Sequence, residues 1–131
     1  MLRSAVAVLA GLVVVLGIVL ISSSMLVLAL GLPPEGPPTD TYLMLNLVAN
    51  ALAGLAGGAT AMKLSPHTPH GHVLALAVVI LLLSLPSAFS GPAPGQPAWY
   101  GLVMSIIGPL SVLAGGLLMI RGRRHPPASR A

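Results

Sequence analysis

The sequence predicts an all-α, polytopic membrane protein with four transmembrane helices. Three observations predict it. Only eight of the 131 residues are Lys, Arg, Asp or Glu, whereas a water-soluble domain carries charge on about a quarter of its residues. None of the eight falls inside four long apolar stretches, and the mean hydropathy is +0.98. Segments rich in proline and glycine separate the stretches and break any helix between them. A chain this poor in charge cannot clothe itself in polar surface, so its solvent is lipid.

The first span is expected over residues 5–31, where only Ser22, Ser23 and Ser24 interrupt the apolar run. Crossing a hydrocarbon core takes about 20 helical residues. Arg3 ahead of the run resembles a signal-peptide n-region. The run is longer than an h-region of about 7–15 residues, and no small-x-small cleavage site follows, so an uncleaved span is expected. Between Leu32 and Asp40 stand four prolines and a glycine. Thr39 or Asp40 suits an N-cap, and Asp40 sits favourably at the positive end of the next helix.

The second span is expected over residues 41–62, closed by Lys63 and a loop from Ser65 to Gly71. The third covers residues 72–89, with Pro86 kinking or ending it, and an uncharged loop from Ser90 to Pro97 follows. The fourth covers residues 98–120 with Pro109 inside. Residues 1–120 thus form one four-span domain, and 121–131 a basic tail. Tyr42 opens the second span and Trp99 with Tyr100 the fourth. Rings with a polar tip suit the membrane–water interface.

Charge sets the expected orientation. Arg3, Lys63 and the tail bearing Arg121, Arg123, Arg124 and Arg130 fall on one side of the four-span topology. The other side holds Glu35 and Asp40 and no Lys or Arg. The positive-inside rule then places both termini and the middle loop in the cytoplasm. The net charge of +4 gathers beside a span. It points to topology and anionic headgroups, not to nucleic acid, which needs a basic face on a folded domain.

A shift of 58 residues suggests two tandem helical hairpins. Tyr42 falls on Tyr100, Leu52 on Leu110, Ala56-Gly57-Gly58 on Ala114-Gly115-Gly116, and Lys63 on Arg121. Such hairpins would be related by an axis along the membrane normal. The alternative is that chains rich in Leu, Ala and Gly align with themselves easily.

Helix packing is expected at Gly54, Gly57 and Gly58 in the second span and at Ser111, Gly115 and Gly116 in the fourth. Small residues four apart make a groove in which a neighbouring backbone can lie. A groove for a lipid, quinone or pigment tail is the sharper reading. Asn46 and Asn50 share one face of the second span. Their amides are costly in hydrocarbon and should point inward, to bond Ser22–Ser24, Ser84 or Ser105, or to line a polar path.

His67, His70 and His72 cluster in the middle loop and are weak candidates for copper, nickel or zinc. No cysteine or carboxylate joins them, and an interfacial role beside Lys63 is favoured. The chain has no cysteine, so it offers no disulfide, thiolate metal site or thiol nucleophile. No Gly-x-Ser-x-Gly, His-Glu-x-x-His or P-loop pattern occurs. No cofactor is predicted, and the chain does not read as an enzyme.

The stretch Tyr42-Leu43-Met44-Leu45-Asn46-Leu47, the run from Gly57 through Lys63 to Pro66, and the later Gln96-Pro97-Ala98-Trp99-Tyr100 and Gly108-Pro109-Leu110 resemble small uncharacterised bacterial membrane proteins with four helices. The likeness covers most of the chain after residue 40. It implies a topology and brings no activity or functional residue; an inner-membrane location is expected. Here the middle loop carries His where that family would be expected to have more Arg. Together these readings predict a non-catalytic accessory or structural subunit, packed with itself or with a larger membrane complex. The alternatives are a small oligomeric transporter or channel, and a binder of a lipid-like cofactor between helices. Small multidrug exporters have four helices too, but depend on a glutamate in the first span, and none stands there.

Overall fold

The computed structural model describes residues 2–33, 36–65, 69–89, 91–92 and 94–123. These form four helices: α1 (Leu2–Ala29), α2 (Asp40–Leu64), α3 (Pro69–Phe89) and α4 (Ala98–Arg123). Each is long and apolar enough to cross a membrane. The fold is the expected four-helix, multi-pass architecture, with boundaries moved by a few residues. Glu35, His67 and residues 124–131 lie outside the described residues.

Local chemistry explains the helix ends. Gly31 adopts φ +61°, a left-handed conformation that most side chains resist. Its N–H donates to the Leu28 carbonyl, and the Leu32 N–H donates to Val27. This pair of bonds is a Schellman cap, which satisfies carbonyls left open at a helix C-terminus. It stops α1 ahead of the proline run. At the start of α2, the Thr39 hydroxyl accepts the Tyr42 N–H at 3.3 Å, so Thr39 is the N-cap and Asp40 the first helical residue. α3 begins at Pro69, three residues earlier than expected. Proline suits a first helical turn, where its missing N–H has no partner to lose. Pro86 and Pro109 both lie inside helices, and neither ends one.

α2 and α4 form the central contact. Gly54 faces Gly108 and Ser111, and Gly58 faces Val112, so the two helices run parallel. α1 packs antiparallel on α2, and α3 antiparallel on α4, as two hairpins. α1 also touches α3, and among the described residues it does not touch α4. The main core lies where α1, α2, α3 and α4 converge, around Val15, Ala53, Leu76 and Val112. Many large apolar side chains remain exposed, including Val13, Leu20, Leu28, Leu82 and Phe89. In a lipid solvent these are the expected outer surface.

The hairpins do not obey the two-fold axis that the 58-residue repeat implies. Gly57 faces α1, its own hairpin partner, and Gly58 faces α4. In the second hairpin the order reverses, with Gly115 facing α2 and Gly116 facing its own partner, α3. One residue turns a helix by about 100°. A two-fold axis would preserve that order, and it would keep α1 away from α3. The Gly-Gly pair therefore serves the same mechanical purpose in each hairpin, but the hairpins face each other as across a plane.

Candidate functional site

Three polar side chains from three helices, Ser23, Asn46 and Tyr100, meet at α2. Asn46 lies just under two turns into that helix and is only 8% exposed. Its amide nitrogen donates to the Tyr100 hydroxyl of α4 at 2.8 Å. Its carbonyl accepts from the Ser23 hydroxyl of α1, also at 2.8 Å. One side chain thus ties three helices together. An unpartnered amide in hydrocarbon would cost several kcal/mol, of order 2–7, so this linkage fixes the depth and rotation of α1, α2 and α4 together.

Tyr100 corrects a sequence reading. It was expected as an interfacial ring, yet it is only 5% exposed and packs with Leu43 and Leu47. Its neighbour Trp99 stays exposed and meets it edge-on, with ring centroids 5.9 Å apart. The reason is rotation: adjacent helical residues differ by about 100°, so only one of the two can face the membrane. Tyr42, its counterpart in the repeat, remains half-buried.

Asn50 is placed differently. Its amide nitrogen donates to the Met104 sulfur at 3.3 Å, a weak acceptor. It also borders a cleft of about 150 Å³ between α1 and α3, with Val15, Ile80 and Ser84 on the walls. Ser84 and Ser105 do not bond either asparagine. Instead the Ser105 hydroxyl reaches the Ser84 carbonyl at 2.9 Å and joins α3 to α4.

The five glycines singled out from the sequence are all buried at helix contacts. Gly54 and Gly58 take the backbone of α4, and Gly115 takes the Leu55 carbonyl of α2. Gly57 meets Gly11 and Val15 of α1, and Gly116 meets Val73 of α3. Three contact glycines, Gly11, Gly101 and Gly108, were missed. A Cβ at Gly11 would stand 2.9 Å from the Gly57 carbonyl oxygen. Gly101 lies against the Ser87 backbone. For Gly11 and Gly101 the signal was present, since Ala7-x-x-x-Gly11 and Gly101-x-x-x-Ser105 both carry the spacing already used for α2.

The histidines separate. His70 and His72 belong to the first turn of α3 and not to the loop. His70 is exposed, whereas His72 is buried with its Nδ1 at 2.8 Å from the Ser65 hydroxyl. That contact joins the end of α2 to the start of α3. Residues two apart on a helix do not share a face, so His70 and His72 do not form a ligand pair. His67 lies outside the described residues, among which no group of three His, Asp or Glu side chains converges.

Comparison with protein-family models, with curated proteins and with solved structures gives no match.

Proposed function

We propose that this chain is a non-catalytic accessory or structural subunit of the bacterial cytoplasmic membrane, packed with copies of itself or with a larger complex. Its termini and basic end face the cytoplasm in this reading, following the positive-inside rule. One observation carries the proposal. The most deeply buried amide at span depth, Asn46, spends both ends of its side chain on neighbouring helices. Both polar atoms of the side chain are thereby engaged within the protein. The Asp, Lys and Arg residues of the helices stand at their ends, and none lies midway along a span to supply proton-coupled chemistry. The likeness to small four-helix bacterial membrane proteins supports the location.

Purification from native membranes in a mild detergent tests it. The expected result is a homo-oligomer or a stoichiometric complex. A strictly monomeric protein with no travelling companion would count against the proposal.

A second reading, transport by an oligomer, is favoured by Asn50 alone. Its amide borders the α1–α3 cleft and donates to a sulfur, a weak acceptor. Flux into proteoliposomes that disappears on Asn50→Leu would support that reading. Undetectable flux in the unaltered protein would remove it.

A further inference from the structure

A second feature stands apart from the Asn46 linkage. At the basic end, α2, α3 and α4 enclose an apolar pocket of about 270 Å³. Met62, Val73, Leu113, Leu117 and Ile120 line it with carbon, and His70 stands at its edge. The pocket is too small for a whole lipid and suits a length of acyl chain.

We propose that this pocket holds one acyl chain of an anionic phospholipid, with its phosphate held by Lys63, His70 and Arg121. Lys63 directly follows the lining residue Met62, and Arg121 directly follows Ile120. Both are exposed. Gly58 lies on Val112 and Gly115 on Leu55, and the two contacts together bring the ends of α2 and α4 near one level, so the two cations stand at similar depth. His70 lies in the first turn of α3 at that same end. Asp40 opens α2 at the opposite end of that helix, and Glu35 precedes it in the sequence. The site therefore joins an apolar slot to a cationic rim, with no carboxylate among the described residues at that end to compete for it. Cations beside a membrane surface attract anionic headgroups in this way.

A second groove provides the contrast. Met25, Leu26, Leu45, Val48 and Leu52 line an apolar surface between α1 and α2. It has no Lys, Arg or His among its lining residues, so a chain lying there would find no partner for its phosphate.

The full-length protein, equilibrated with vesicles of equal phosphatidylglycerol and phosphatidylcholine and then released into mild detergent, would be weighed intact with its retained lipid. One phosphatidylglycerol per chain is expected in preference to phosphatidylcholine. Lys63→Gln and Arg121→Gln change exposed residues, and each should lower that preference roughly fivefold. Leu117→Trp narrows the pocket from an exposed position and should lower retention of both lipids. Equal retention of the two lipids by the unaltered protein would overturn the proposal. So would a retained neutral lipid or isoprenoid quinone, or undiminished retention in Leu117→Trp.

Discussion

The Asn46 amide donates to the Tyr100 hydroxyl at 2.8 Å, across the α2–α4 contact and 54 residues of sequence. The same side chain accepts from Ser23. Interhelical hydrogen bonds in membranes are worth about 0.6 kcal/mol on average and up to about 1.7. Asn46→Leu breaks two of them and strands two hydroxyls. It should destabilise the fold by about 1–3 kcal/mol, whereas Tyr100→Phe breaks one and should cost about 0.6. A double-mutant cycle on Asn46 and Tyr100, read from reversible unfolding in mixed micelles, should give a favourable coupling. Strict additivity of the two substitutions would show that the bond does not tie the helices.

Close backbone approach makes a second, sharper demand. A Cβ at Gly58 would collide with the Val112 carbonyl, which is backbone and cannot step aside alone. Gly58→Ala should therefore push α2 from α4 and cost about 1–3 kcal/mol, the range for overpacked cores. Gly17 on α1 is the control, since nothing lies within 4 Å of a Cβ placed there. Gly17→Ala should leave the thermal midpoint unchanged or slightly raised. Equal effects at the two glycines would contradict the packing.

Charge and hydropathy made the four helices legible, because lipid imposes one solvent on every span and excludes unpaired backbone. The glycine contacts were legible for the same reason: their spacing is set by the helix itself. Tyr100 was not. An aromatic beside Trp99 at a span end has two satisfying environments, the interface or a buried partner. Only the rotation of α4 about its axis decides between them, and that rotation depends on the other three helices. The faces of the two Gly-Gly pairs were hidden likewise. The sequence repeats them at one spacing, yet Gly58 and Gly115, not Gly58 and Gly116, meet the opposite hairpin. The pairing of Ser65 with His72 was not legible because the loop between them disguises that they are neighbours in space.

That Ser65–His72 contact yields a third prediction. Both residues are buried where α2 ends and α3 begins, and their side chains meet at 2.8 Å. Ser65→Ala removes one partner from the ring and should cost about 1 kcal/mol, the net worth of a typical hydrogen bond. The loss should be local. Amide hydrogen exchange should quicken in the last turn of α2 and the first turn of α3, and stay unchanged at Asn46. Uniform acceleration along α2 would place the role of Ser65 elsewhere.

Separation of the histidines bears on metal binding. His70 is exposed, while His72 is buried on a different face and engaged by Ser65. Zn²⁺ held at this turn would stabilise the folded state by mass action and raise its thermal midpoint. The expected outcome is that added Zn²⁺ shifts the midpoint equally in the unaltered protein and in His70→Gln. A stabilisation lost only in the variant would restore the metal reading.

The last prediction concerns the two proline-rich loops, which touch at Gly95 and Pro37. Gly95 adopts φ +80°, and a Cβ there would stand 2.5 Å from the Pro37 Cβ. Gly91, in the same loop, adopts φ +77° with nothing within 4 Å. Alanine at either position meets the left-handed penalty of roughly 1–2 kcal/mol. Only Gly95→Ala also forces the loops apart. The difference between the two variants therefore isolates the loop–loop contact from backbone strain. Gly95→Ala should expose the segment around Pro37 to limited proteolysis from that side of the membrane, and Gly91→Ala should not. Cleavage at the same rate in both would mean that the loops are held by their own turns, and that the hairpins depend for their pairing on the glycine contacts within the spans.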